Sequence, residues 1–142
     1  MASQEQEPVI SHFINELRRN AEGNPNLARQ VSRYLDTPEG FQELRRRFAI
    51  MATIAYLGAM PESQSPITEE GYLDFCTTSI FQQNPELRGT EREQEVRGEQ
   101  LTFLKVAVEQ GYVVNENNEY RLRELGQSTY SEMKKLEQDP QN

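Results

Sequence analysis

Cysteine occurs once in these 142 residues, as Cys76, and histidine once, as His12. A lone cysteine excludes an internal disulfide, and with no signal-peptide pattern ahead of the first helical stretch the expected compartment is the reducing cytoplasm. Nowhere is there a GxxxxGK[ST], GxGxxG or GxSxG sequence, so the commonest nucleotide-binding and hydrolase signals are missing. The longest apolar run, Phe48 to Met60, has 13 residues. A bilayer crossing needs about 20, so this run reads as a buried helix and no membrane partner is expected.

The same scarcity bears on metal and catalytic sites. His12 and Glu16 stand four apart and can share a helical face, but a metal site needs more ligands than these two. Cys76 sits in an apolar helical pattern, which suits a buried small side chain better than an activated thiolate. Glu69, Glu70 and Asp74 read as a favourable helix start with solvated charge, not as an acid and base pair. No cofactor is expected, and the chain is read as a non-enzyme.

Charge is plentiful and uneven. Charged residues make up 27% of the chain and the net charge is −8. Residues 1–60 carry seven basic and seven acidic residues, leaving eight basic against sixteen acidic in the remainder, so the whole excess lies in the second half. That half meets phosphates with a repulsive mean field. The basic concentration is Arg45-Arg46-Arg47 with Arg18, Arg19, Arg29 and Arg33. Its plain reading is a solvated helical face partly paired with Glu39 and Glu43. Its sharper reading is a docking patch for an acidic protein, nucleic acid or the acidic half of a second copy.

Apolar periodicity supplies the architecture. Val9, Ile10, Phe13, Ile14 and Leu17 predict a helix over Pro8 to Ala21, and Leu27, Val31, Tyr34 and Leu35 predict a second after the break at Gly23-Asn24-Pro25. Thr37-Pro38-Glu39 starts a long third helix, since threonine accepts an unpaired backbone N–H and proline at the first position lacks none. Phe41, Leu44, Phe48 and Met51 step along it by three and four as a dimer seam. Two prolines between residues 61 and 67 mark a linker. Thr68 caps a fourth helix, Asn84-Pro85 starts a short one, Gly89-Thr90 breaks it, and a longer helix follows to Gln110. Then Gly111 stops the chain's helical run, and Tyr112 to Val114 and Tyr120 to Leu122 flank a polar turn at 115–118. Tyr112 and Tyr120 are expected to pair across it. A final helix carries Leu125, Thr129, Met133 and Leu136.

The order ending in "EQGYVV", hairpin and "YRLRELG" resembles the winged-helix regulators of the multiple-antibiotic-resistance and phenolic-acid-repressor kind. The likeness covers Thr68 to Leu136 and is sharpest over Glu99 to Gly126. It implies that the helix before Gly111 is a recognition helix, Glu119 to Leu122 a wing strand and the outer helices a dimer arm. The expected fold is therefore mainly α: a helical arm at 1–60 with a role in dimerisation, a linker at 61–67, a winged-helix-like domain with one small β-hairpin at 68–137 and a disordered tail at 138–142. Residues 1–7 are also expected to be mobile.

A groove-reading helix presents basic or amide side chains, yet residues 91–100 set Glu91, Glu93, Glu95 and Glu99 beside Arg92 and Arg97. Glu116 and Glu119 extend the acidic character to the hairpin tip. The favoured function is a non-catalytic regulatory or adaptor protein, homodimeric, that offers Glu91, Glu93, Glu95, Glu99 and Glu116 to a basic protein partner. The alternative is a dimeric DNA-binding transcription regulator using Arg92, Arg97, Arg121 and Arg123 on phosphates.

Overall fold

A computed structural model describes residues 8–61, 65–85 and 90–138. Among them are six helices: α1 (Pro8–Ala21), α2 (Pro25–Leu35), α3 (Pro38–Ala59), α4 (Glu69–Gln83), α5 (Thr90–Glu109) and α6 (Glu124–Gln138). Three short strands, β1 (Ile67–Thr68), β2 (Val113–Glu116) and β3 (Glu119–Leu122), form one antiparallel sheet in the order β1-β3-β2. The fold is thus mainly α. The expectations at 1–7, 139–142, residues 62–64 of the 61–67 linker and the Gly89 break lie outside the described residues, and Gln138, expected in the disordered tail, is the last residue of α6.

Side-chain caps set the helix starts. Asn24, Thr37 and Thr68 accept the backbone N–H of Leu27, Gly40 and Gly71 at 3.1, 3.0 and 3.1 Å, satisfying donors that have no partner inside the helix. At the end of α5, Gly111 takes φ +88°. Its N–H donates to the Val108 carbonyl at 3.1 Å while that of Tyr112 donates to the Ala107 carbonyl at 3.0 Å, the paired bonds of a Schellman stop. The hairpin turns on two residues, not four. Asn117 and Asn118 have φ 56° and 64°, as a type I′ turn requires, and Asn115 and Glu116 belong to the ladder opposite Tyr120 and Glu119. Tyr120 therefore faces Asn115 and does not pair with Tyr112.

Two apolar clusters make the core, and α3 contributes to both. The larger sets Ile50, Ile54 and Leu57 of α3 against Tyr72 and Cys76 of α4, Leu104 of α5 and the inward residues of the hairpin. The smaller joins Ile10 and Ile14 of α1 to Ala49 of α3 and Phe103 of α5. Phe41, Leu44 and Phe48 close on this second cluster; the Phe48 ring centroid lies 4.5 Å from Phe13 and 5.6 Å, edge to face, from Phe103. The supposed dimer seam is thus largely an internal one, because α1 and α5 occupy the stripe reserved for a second copy. Of its four residues only Met51 is an exposed hydrophobic, at 42%. Nor does the stretch at 61–67 divide two cores: residues from before and after it pack in one cluster.

Helix α6 lays the Tyr130 ring directly against α3 at Gly58. A Cβ on Gly58 meets the ring of Tyr130 at 2.3 Å, so the glycine is what lets the aromatic ring lie on α3.

Candidate interaction surface

The predicted surface follows α5 and the hairpin. Val96, Gln100, Phe103, Leu104 and Ala107 are buried and turn one face of α5 to the core, leaving Gln94, Gly98, Thr102, Lys105 and Glu109 exposed on the other. Glu93 and Glu95 are half-buried at the margin between these faces. The side chain of Glu91 lies outside the described residues.

Glu99 does not belong to the surface. It is 4% exposed, and its two carboxylate oxygens accept the backbone N–H groups of Val9 and Ile10, each at 2.9 Å. Pro8 brings no N–H, so the carboxylate takes the first two donors that α1 offers. A negative charge at a helix N-terminus also meets the favourable end of the helix dipole. The signal lay in the spacing: Glu99 stands three after Val96 and four before Phe103, a core position, and a carboxylate in the core needs partners. What sequence spacing does not give is that these partners sit some ninety residues away in α1.

The arginines proposed for phosphate contact are distributed differently from expectation. Arg97 is held in a fork, its guanidinium donating to Asp74 and Glu70 of α4 at 2.7 Å each. Chiefly through its hydrogen bond to Asp74, it is held as a cation even more firmly than an ordinary arginine. Arg121 pairs with Glu116 across the hairpin at 2.8 Å. Arg92 is half-buried and Arg123 exposed. Arg97 and Arg121, two of these four guanidiniums, are thus matched by carboxylates of the chain. Glu69 reaches the hairpin as well, accepting the Tyr120 hydroxyl at 3.3 Å; burial, then Glu69, raises the phenol's pKa.

A cleft of about 330 Å³ runs between α3 and α5, floored by Ala49, Phe103 and Val106. On its α3 wall Glu43 accepts from Arg46 at 2.5 and 2.7 Å and from Arg47 at 2.8 Å. These hydrogen bonds hold its carboxyl down at about 2. Arg47 also lies 6.0 Å over the Tyr34 ring.

Cys76 is fully buried, and burial pushes its thiol up to about 12. It is a protonated core side chain at neutral pH, unsuited to nucleophilic attack. His12 is half-buried in α1, and among the described residues no group of three or more His, Cys, Asp or Glu is placed to hold a metal ion. Among the same residues, no helix is long and apolar enough to cross a membrane. No protein-family model, curated protein or solved structure matches the chain.

Proposed function

We propose that this chain is a non-catalytic regulatory or adaptor protein that meets a basic protein partner through the acidic side of a winged-helix-like core. Support for the scaffold comes from the element order helix, short strand, two helices and β-hairpin, with the short strand laid against the far strand of the hairpin. One observation carries the functional reading. Two cations on this side are matched within the chain, Arg97 by Glu70 and Asp74 and Arg121 by Glu116, while Glu93 and Glu95 keep partial access to solvent. A surface whose cations are already matched to carboxylates favours a basic partner over a phosphate backbone. The working surface is accordingly Glu93 and Glu95, with Glu91 beside them in sequence, while Glu116 is paired with Arg121 and Glu99 is a buried cap.

The DNA-binding alternative through Arg92, Arg97, Arg121 and Arg123 is the weaker reading, since Arg97 and Arg121 are already paired with carboxylates of the chain. A homodimer built on Phe41, Leu44 and Phe48 loses its support for the same kind of reason.

The test reverses Glu93 and Glu95 to lysine. A partner captured by the wild-type chain from lysate of the native organism at 50 and 150 mM salt, and lost by the variant, is the expected result. Capture that survives the reversal refutes this surface.

A further inference from the structure

The most amphipathic part of the fold takes no part in the reading above. Helix α2 packs on α1 and α3 through Val31, with Leu27, Ala28, Tyr34 and Leu35 half-buried around it. Its opposite face is exposed and holds Asn26, Arg29, Gln30 and Arg33, the last three spaced three, four and seven residues from the first. No acidic residue lies between Asn24 and Leu35; the flanking ones in sequence are Glu22 and Asp36.

The arginines of this face differ from five others in the chain. Arg19 is held by Glu16, Arg46 and Arg47 by Glu43, Arg97 by Glu70 and Asp74, and Arg121 by Glu116. Among the described residues neither Arg29 nor Arg33 has a carboxylate partner. Arg29 instead donates to the Asn26 side-chain oxygen, within the same exposed row. In a chain with 23 acidic residues, two guanidiniums left without a carboxylate on one helix face present a local positive field to the outside. Arg18 adds a third exposed guanidinium on the rim of the groove between α1 and α2, a groove that Glu22 and Asp36 also line, so the positive field is centred on Arg29 and Arg33.

We propose that the outer face of α2, carried by Asn26, Arg29, Gln30 and Arg33, is a docking surface for duplex DNA. Charge complementarity selects a polyanion, and the amides beside the guanidiniums narrow the choice. Arginine pairs with phosphates or with guanine edges, and asparagine and glutamine match adenine, whereas an acidic protein needs only the cations. The eleven residues of α2 span about 16 Å, and a helix held along one side with its other side free fits a major groove about 12 Å wide. This surface is separate from the acidic side assigned to a protein partner, so the two readings stand or fall independently. Together they describe a chain with one face for each kind of macromolecule.

The experiment is a fluorescence-anisotropy titration of the full chain into a labelled 24-base-pair duplex of mixed sequence. Saturable binding is expected at 50 mM salt, weakening on the order of 10- to 40-fold by 200 mM as two to three phosphate contacts release counterions. Arg29→Glu with Arg33→Glu abolishes it, while Arg29→Lys with Arg33→Lys retains most of it because the charge survives. Arg92→Glu with Arg123→Glu leaves it unchanged, and circular dichroism confirms that each variant is folded. Absence of binding at 50 mM salt overturns the proposal. So does loss in the Arg92 and Arg123 variant with retention in the Arg29 and Arg33 variant, which moves the contact to α5 and the hairpin. Sedimentation of the protein alone gives the remaining outcome: self-association dissolved by the Arg29 and Arg33 reversal, without DNA binding, assigns the face to a second copy and refutes the DNA surface.

Discussion

Replacing Glu99 by alanine removes one carboxylate and strands two backbone donors at once. In the wild-type chain both oxygens are used, at 2.9 Å each, and the Ile10 N–H is buried while that of Val9 is partly so. Hydrogen bonds to a charged acceptor contribute about 1.5–3 kcal/mol each, and a buried donor left without a partner costs about 1–3 kcal/mol. Against this stands the desolvation of the carboxylate, which the variant no longer bears, and a few tenths of helix propensity gained by alanine. The balance is a loss of about 3 kcal/mol. Urea unfolding reads it: with a slope of about 2 kcal/mol/M, the midpoint falls by roughly 1.5 M. Glu99→Gln retains one acceptor but turns an amide N–H₂ toward the other donor, so it loses about half as much. Hydrogen exchange at Ile10 should accelerate in both variants, because the first turn of α1 is released before the rest of the fold. An alanine variant whose midpoint moves by less than roughly 0.3 M, or an Ile10 amide as protected as before, refutes the assignment of Glu99 as the clamp that fixes α1 to α5.

Burial raises the Cys76 thiol from its ordinary value near 9 to about 12, and the Tyr56 phenol from 10 to about 12. Below pH 9 both groups are neutral folded or unfolded; between 9 and 12 the unfolded chain releases protons that the folded chain retains. Stability therefore falls as pH rises through this window, and a flat alkaline unfolding profile contradicts it. In the same vein, a thiol reagent at pH 8 should label Cys76 only after denaturant is added. Gly58→Ala drives a methyl into the Tyr130 ring and costs about 1–3 kcal/mol of packing, offset by about 1 kcal/mol of helix propensity. Combined with Tyr130→Ala it should become neutral or stabilising, and a thermal-melt double-mutant cycle that is additive rules out the contact. Gln100 is 1% exposed and, among the described residues, neither of its amide atoms has a hydrogen-bond partner, so Gln100→Leu should stabilise by about 1 kcal/mol; a lower denaturation midpoint shows that the amide has a favourable role.

Much of the backbone was legible from residue order. Pro8 to Ala21, Thr37-Pro38, Thr68 and Gly111 mark element ends through local chemistry, since caps and stops depend on a few neighbouring atoms. The small sheet was half legible. Ile67 and Thr68 form only two ladder pairs, too short for any alternation, and their partners in β3 lie some fifty residues on. The candidate surface was least legible, because periodicity tells that a stripe is covered and not by what. Phe41, Leu44 and Phe48 had the spacing of a dimer seam and are covered by α1 and α5; Glu99 read as solvent-facing charge in an acidic run and is a buried cap. Arg97 in the same run needed Glu70 and Asp74 of α4 to reveal that its charge is spoken for.

Because α3 threads both clusters, the chain does not come apart into usable pieces at its proline-rich connection. A recombinant fragment beginning at Thr68 leaves Tyr72, Cys76 and Leu104 without Ile50, Ile54 and Leu57, and a fragment ending at Met60 exposes those same isoleucines and the leucine to water. Cleavage there should yield two halves that are each insoluble or molten alone yet reassemble when mixed. Dissecting which half recognises which partner must therefore proceed by point substitution in the intact polypeptide.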